Sequence, residues 1–214
     1  MDFQQLLNAK ESERDSDWEK DFLRLFPEQS FSLIYPDAKP GPDNWPYLWI
    51  SSEANEQAAE PATKILDWLS QRGIGLVVNP NKNMPDYVFT YGMLWLYALT
   101  GQFIIDSERQ DTKKKEWEKT TEKLFYGYPK EDYIPTYVRS ILKEFFLQQG
   151  IMRPKWILLT EDKENYDLCF SLESLNHPAE KDHQSLLEAI SWFFPNHYSL
   201  VLTSEKGLAD FEEI

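Results

Sequence analysis

The densest group of side chains able to bind a metal or transfer protons lies between residues 177 and 183. His177, Glu180, Asp182 and His183 fall in this segment, and a helix would place Glu180 and His183 on one face. Zinc sites use histidines four residues apart or cysteine partners, and the segment has neither. Its acidic residues suit the first turn of a helix. We therefore expect no metal here and assign no cofactor to the chain.

The single cysteine is the other obvious candidate for catalysis. Cys169 shares one face of a predicted strand with Asp167 and Ser171, and a nearby carboxylate raises the pKa of a thiol. A structural thiol is therefore expected. The chain also lacks the Gly-x-Ser-x-Gly turn of hydrolases and the glycine loops that bind dinucleotides or phosphate. No catalytic residue is predicted.

The predicted contact site is chosen by position in the sheet. Ligands of α/β sheets bind beyond the carboxyl ends of strands. The strand predicted over 74–78 leads into a loop that contains two prolines, a lysine and an aspartate. We expect the loop before Tyr47 to flank it. A rigid structural turn, a protein contact and a small-molecule site all fit this pattern. The predicted contact residues are Asp43, Asn44, Trp45, Asn79, Asn81, Lys82, Asp86 and Tyr87.

The charge balance limits the partners. The chain has 36 acidic and 22 basic residues, a net charge of -14, which repels nucleic acid and attracts a basic protein. The basic run Lys113–Lys115 lies among glutamates and indicates a mixed-charge helix face. The longest apolar run, residues 93–99, is too short to cross a bilayer. A protein is therefore the expected partner, with no nucleic acid and no membrane.

The compartment is predicted from the cysteine count and the first residues. One cysteine forms no internal disulfide, as is usual in a reducing compartment. Residues 1–5 lack the basic and apolar regions of a signal peptide. A cytoplasmic location is expected.

Hydrophobic spacing and breakers predict the elements of the first half. Residues 87–99 fit a strand followed by a helix, but their periodicity does not decide this, and residues 106–124 form a charged, helical connection. The other elements are a helix from a capping box at Ser16 to Pro27, strands over 31–35 and 47–51, a helix from Pro61 to Gly73 and a buried strand over 74–78.

The second half has the same order of elements, α-β-β-α-β. Leu66 corresponds to Leu187, and Leu76 to Leu200. A duplication and the independent use of a common α/β unit both explain the match. The elements are a helix from Pro135 to Gly150, strands over 156–160 and 166–173, a helix from 178 or 182 to Pro195 and a strand over 198–203.

We predict an α+β (mixed α/β) protein of two similar lobes, each a small mixed sheet covered by helices. The first lobe spans 1–127 and has the proline-rich loops; the second spans 128–214. The sequence leaves open whether the lobes share one sheet, and it leaves the oligomeric state open.

The second half, from Tyr137-Val138-Arg139 to Ser204 with its ending Tyr198-Ser199-Leu200-Val201-Leu202, resembles the C-terminal domain of bacterial enhanced-serine-sensitivity (SseB-like) proteins. The resemblance covers about a third of the chain, and it implies an intracellular bacterial protein without a catalytic residue set.

Three functions follow from these patterns. The first is a non-enzymatic protein-interaction or regulatory module with an acidic surface. The alternative is an enzyme or small-molecule-binding protein with its site near the Asn79–Tyr87 loop. A structural subunit of a larger assembly is the third.

Overall fold

The computed structural model describes residues 2–53, 59–82, 84–105 and 124–214. Their internal contacts divide them into two units, Met1–Phe103 and Ile104–Ile214. Each unit has its own mixed sheet and its own helices, so the predicted α+β fold of two sheet-containing lobes is confirmed. The helix expected over 106–124, with Lys113–Lys115, lies outside the described residues apart from Leu124.

The first unit contains a six-stranded sheet with the strand order β4-β1-β3-β5-β6, and β2 also pairs with β3. Strands β1 and β3 are antiparallel, whereas β3 and β5 are parallel. The strands are β1 (Ser30–Leu33), β2 (Lys39–Pro40), β3 (Pro46–Ser51), β4 (Ala59–Pro61), β5 (Gly75–Val78) and β6 (Tyr87–Phe89). The helices are α1 (Phe3–Leu7), α2 (Ser16–Leu25), α3 (Ala62–Leu69) and α4 (Tyr91–Thr100).

Aromatic side chains fill the core between α2 and one face of this sheet. Phe22 and Phe26 are four residues apart, so they project from the same side of the helical segment. The ring of Phe26 lies 4.8 Å from that of Phe31 in β1 and 4.7 Å from that of Phe89 in β6. All four side chains are fully buried. This packing fixes α2 over the sheet, because each buried aromatic ring removes a large apolar area from water.

Two helix ends differ from the sequence prediction. Helix α3 ends at Leu69 with Ser70 as its C-cap, four residues before the predicted cap Gly73, and the N-terminus of α2 differs as well. The capping box predicted at Ser16 is wrong: Asp15 caps α2, and its Oδ1 accepts from the N–H groups of Asp17 and Trp18. Residues 87–99 form a strand and then a helix, divided by Thr90, whose hydroxyl caps α4. Both helix starts are set by side chains that accept N–H groups with no partner inside the helix.

The second unit contains a five-stranded sheet with the strand order β10-β9-β8-β11, and β7 also pairs with β8. Helix α5 precedes β8, and α6 connects β9 to β10. The elements are β7 (Phe125–Gly127), α5 (Thr136–Gln148), β8 (Lys155–Thr160), β9 (Asp167–Ser171), α6 (His183–Ser191), β10 (Ser199–Thr203) and β11 (Glu212–Glu213).

The start of the second unit is earlier than the boundary predicted between residues 127 and 128. The division lies between Phe103 and Ile104. Strand β7 pairs with β8, with Tyr126 opposite Leu159, so residues 125–127 belong to the second sheet. Three residues of strand are a weak signal in sequence, and only the pairing assigns them to a lobe.

The two sheets share a topology, as the repeated order of elements predicted. In the first unit β1 and β3 are antiparallel, and β3 is parallel to β5 on its other side. In the second unit β8 and β9 are antiparallel, and β9 is parallel to β10 on its other side. A helix, α3 or α6, joins each parallel pair, because parallel neighbours need a crossover connection. This likeness agrees with both explanations of the repeat.

Candidate functional site

The loop after β5 lies where two parallel strands end. Strands β3 and β5 run in parallel, with Ile50 beside Val78. The loop that begins at Asn79 therefore follows the carboxyl ends of both strands, the edge at which α/β sheets place ligands. The predicted contact residues 79–87 stand at this edge.

The carboxylate of Asp86 is the centre of the polar network at this edge. Its side chain is fully buried. Arg14 donates to Oδ1 over 2.7 Å, and both Lys82 and Asn79 donate to Oδ2 over 2.6 Å. Arg14 also donates to the main-chain oxygens of Asp86 and Leu7. These contacts supply the partners without which a buried charge is strongly destabilising.

The hydrogen bonds determine the protonation state of Asp86. Burial by itself raises the pKa of a carboxyl group, because it disfavours the charged form. Here the hydrogen bonds from Lys82, Asn79 and Arg14, together with the charge of Lys82, outweigh burial and hold the pKa of Asp86 below its ordinary value of 3.8. The group is therefore ionised at neutral pH and paired with Arg14 and Lys82, which does not suit a general base.

Asn79 joins the ends of the two parallel strands. Its φ of 52° lies in the left-handed region, which asparagine tolerates better than most residues. Its Oδ1 accepts from the main-chain N–H of Ser52 over 2.8 Å, and its Nδ2 donates to the Ser52 hydroxyl over 2.9 Å as well as to Asp86. The side chain thus holds the residue after β3 beside the residue after β5.

Tyr87 and Asn81 complete the predicted residues of this loop. The Tyr87 hydroxyl donates to Glu19 over 2.6 Å, and burial followed by that carboxylate raises the pKa of Tyr87 well above its ordinary value of 10.0. The phenol therefore stays neutral, and its ring stacks on Phe22 at 4.9 Å. Asn81 is exposed, and so is the neighbouring Met84.

The expectation that Asp43, Asn44 and Trp45 flank this loop is wrong. They precede the amino end of β3, whereas Asn79 follows β5 and lies beside the carboxyl end of β3. Six residues of strand, about 20 Å, lie between the two positions. The segment is a turn: Asp43 accepts from the Tyr47 hydroxyl over 2.6 Å and from the N–H of Trp45, and Asn44 has a φ of 66°.

A second polar network lies at the corresponding edge of the second unit. Strands β9 and β10 are parallel and end side by side. Glu173, which follows β9, accepts from the main-chain N–H of Glu205 over 2.9 Å and from the Ser204 hydroxyl over 2.5 Å. Glu205 in turn accepts from the buried Ser171 hydroxyl over 2.6 Å and lies 3.4 Å from the Lys155 ammonium. Glu173 therefore plays the same part as Asn79 in the first unit: each side chain follows one parallel strand and accepts from a main-chain N–H that follows the neighbouring strand.

The sequence prediction did not include these residues. Glu173 and Glu205 each stand two positions beyond the last residue of a parallel strand, the positional signal that selected Asn79. An acidic residue at this position is not distinctive in sequence, because the chain has 36 acidic residues. The parallel pairing of β9 and β10, which the sequence does not display, is what brings the two together.

Two surface depressions occur in the second unit, and both are open to solvent. One, of about 490 Å³, lies over the network just described and is lined by Arg153, Lys155, Glu173 and Glu205 among others. Its neighbour, of about 510 Å³, is lined by Leu147, Met152 and Glu213 among others. Small-molecule sites are enclosed and mostly apolar. Neither of these depressions has that form.

The histidine segment adjoins α6. The ring of His183 lies 3.1 Å from the main-chain oxygen of Pro178, and His177 has a φ of 52°. In the described ranges, no three side chains of His, Cys, Asp or Glu are grouped as a metal site would require. Cys169 is fully buried, and burial and then the charge of Asp167 raise its pKa, as expected of a structural thiol.

No family model matches the chain, and neither a curated protein nor a solved structure matches it. Across residues 2–53, 59–82, 84–105 and 124–214, no helix has the length and apolar character needed to span a bilayer. Side-chain geometry and charge are therefore the grounds on which a function is assigned.

Proposed function

We propose that this chain is a cytoplasmic, non-enzymatic interaction module that binds a basic partner protein. One observation carries this assignment: in both units, the polar side chains beyond the carboxyl ends of the parallel strands form hydrogen bonds within the unit. Asp86 accepts hydrogen bonds from Arg14 and Lys82. Glu173 accepts from a main-chain N–H, and Glu205 accepts from a hydroxyl group. Side chains used in this way stabilise the fold and do not converge on an enclosed cleft.

The distribution of charge favours a basic partner. Residues 1–103 hold 15 acidic and 8 basic side chains, and residues 104–214 hold 21 and 14. Each unit therefore contributes half of the net charge of -14. A field of this sign accelerates association with a cationic surface, and salt weakens the effect. The resemblance of the second half to SseB-like proteins supports the same intracellular, non-catalytic role.

Exposed apolar side chains provide contacts that do not depend on charge. Tyr126 and Tyr128 are 60% and 41% exposed, and their rings meet edge to face at 6.4 Å. Met152 is 74% exposed. Tyrosine and methionine are enriched at protein interfaces. The acidic field would thus guide the partner, and such side chains would hold it.

Affinity capture followed by reconstitution tests this function. The tagged chain is incubated with lysate at low salt, the captured proteins are identified, and a stoichiometric basic partner is purified and titrated by calorimetry. We expect a complex whose affinity falls about tenfold or more between 50 and 500 mM salt. Capture of no basic partner, or an affinity indifferent to salt, would contradict the assignment.

A small-molecule site near the Asn79–Tyr87 loop is the alternative function, and the exposed side of Lys82 is the observation in its favour. Lys82 is 46% exposed while bonded to Asp86, so an anionic ligand has access to its ammonium group. Thermal unfolding in the presence of a metabolite library separates the two functions. A metabolite that stabilises the chain, and fails to stabilise Lys82→Met, would favour the alternative.

A further inference from the structure

Strand β10 differs from the other edge strands of the two sheets. It has five residues, Ser199–Thr203, with no charge and no proline, and all five are half-exposed. Charged residues, prolines and short lengths protect sheet edges from pairing with other chains. The other edge strands have such protection: β2 is Lys39–Pro40, β4 contains Glu60 and Pro61, β6 and β7 have three residues each, and β11 is Glu212–Glu213.

The outer side of β10 presents main-chain hydrogen-bonding groups. The Thr203 oxygen accepts from Leu172, so Thr203 faces β9. Because successive residues of a strand direct their N–H and C=O groups to opposite sides, the groups of Leu200 and Leu202 face away from β9. In the described part of the chain no strand pairs with this side. Two donors and two acceptors are therefore in place for one more strand.

Carboxylates from the neighbouring strand β9 and the residues after it lie beside both ends of β10. Asp167 accepts from the Ser199 hydroxyl over 2.6 Å, and Glu173 accepts from the Ser204 hydroxyl over 2.5 Å. From Ser199 to Ser204 an extended chain covers about 16 Å. Beside the strand, α6 packs against β10 and leaves Leu186 and Leu187 half-exposed. The edge thus combines open backbone groups, apolar surface and negative charge.

We propose that β10 is the docking edge for an extended, basic segment of the partner protein, which adds to the second sheet as a further strand. This inference rests on the proposed function and names the surface it uses. Main-chain hydrogen bonds to Leu200 and Leu202 would hold the segment, as in other strand-addition complexes. Lysines or arginines four to six positions apart would reach Asp167 and Glu173, and the residues between them would lie along α6.

A second copy of the chain fits this edge less well. Two copies paired through β10 would bring the carboxylates of one beside those of the other, and each copy carries a net charge of -14. Like charges brought together at an interface are unfavourable. Charge complementarity therefore selects a basic segment over self-association.

Amide hydrogen exchange of the full-length, isotope-labelled chain tests the edge directly. The probe is a blocked eight-residue peptide of alternating lysine and valine. We expect the Leu200 and Leu202 amides to exchange rapidly in the free chain and about tenfold more slowly with saturating peptide. The Val201 and Thr203 amides, which face β9, should be protected throughout. Slow exchange of Leu200 and Leu202 in the free chain, or no protection at millimolar peptide, would overturn the proposal.

Two control peptides separate strand addition from simple charge attraction. One carries an N-methyl group at every residue, which keeps the charge and removes the main-chain donors; the other has glutamate in place of lysine. Neither should protect Leu200 or Leu202. Equal protection by the methylated peptide, or a free chain that sediments as a dimer with its Leu200 and Leu202 amides protected, would show that β10 is not a docking edge for a basic strand.

Two variants connect the edge to the protein partner. Leu202→Pro removes an outward N–H without removing a hydrogen bond to β9. Thr203→Lys leaves the backbone groups unchanged and adds a charge that repels a basic segment, so it serves as the test if the proline variant fails to fold. We expect each to bind the captured partner at least about tenfold more weakly. Unchanged binding of folded variants would reject the docking edge and leave the proposed function standing. Capture of no partner by the intact chain would reject the function itself.

Discussion

The guanidinium of Arg14 and the buried carboxylate of Asp86 meet at 2.7 Å, although 72 positions separate them in the chain. Arg14 also donates to the main-chain oxygens of Leu7 and Ala9 and lies 4.9 Å from the ring centre of Trp18. One side chain therefore fastens the N-terminal segment to the loop after β5. The loop that the sequence marks as a contact site is also a structural joint of the first unit.

Replacing Asp86 by asparagine should destabilise the chain by about 2 kcal/mol. The substitution removes the charge that neutralises Arg14, which is only 18% exposed, and a charge left without its partner in such a place is costly. Urea unfolding monitored by tryptophan fluorescence measures the change. The matched control is Asp21→Asn, because Asp21 pairs with Arg24 at the surface, where an ion pair contributes little. Equal losses in the two variants would contradict the role given to Asp86.

The stability of the chain should fall in acid, in part because of Asp86. Its pKa in the folded chain lies below the ordinary value of 3.8. Its contribution is therefore fully present above that value and is lost as the pH falls through the folded-state pKa. Urea midpoints measured between pH 7 and pH 2.5 should decline, with a smaller decline for Asp86→Asn. Parallel curves for parent and variant would show that Asp86 is not the group responsible.

Gly75→Ala should destabilise the first unit by about 2 kcal/mol. A Cβ at this position would lie 2.5 Å from the ring of Tyr47 and 2.8 Å from the main-chain oxygen of Phe89. The ring has little freedom to move, because it is buried and its hydroxyl is bonded to Asp43. Gly127→Ala is the control, since a Cβ there meets no atom within 4 Å. Thermal unfolding of both variants should show a lowered midpoint for the first alone.

Cys169 should be unreactive in the folded chain. Its side chain is fully buried, and burial followed by the charge of Asp167 raises its pKa, so little thiolate is present to react. Incubation with a thiol reagent at pH 8 should give no labelling over an hour and complete labelling in concentrated urea. Rapid labelling without urea would mean that β9 opens or that Cys169 is accessible.

The strands and helices could be predicted largely from local signals. Ile74-Gly75-Leu76-Val77-Val78 is an uninterrupted apolar run, and β5 is buried along its whole length, as such runs indicate. Prolines mark the starts of α3 and α5, and Gly150 follows the C-cap of α5, for the same local reason, but α3 ends at Leu69 and not at Gly73. The N-terminus of α2 was displaced by one residue, because Asp15 and Ser16 are both good caps and the sequence does not rank them.

The candidate site was predicted only in part. Asn79, Lys82 and Asp86 come together because one short loop contains them. Arg14 was missed, because nothing near it in sequence indicates a partner 72 positions away. Asp43–Trp45 was placed at the wrong end of β3, because the sequence shows which strands exist and not which ends of them meet.

The sequence by itself determined the elements, their repeated order and the acidic charge, since these depend on residue type and on spacing within a few turns or strand lengths. Only the tertiary structure decided that β3 runs parallel to β5 and β9 to β10. It likewise decided that the polar residues beyond those strands bind one another, and that β10 lies at the edge of the sheet that the described residues form. Strand pairing joins residues far apart in the chain, so the hydrogen bonds and burial that select one pairing over another have no local signature.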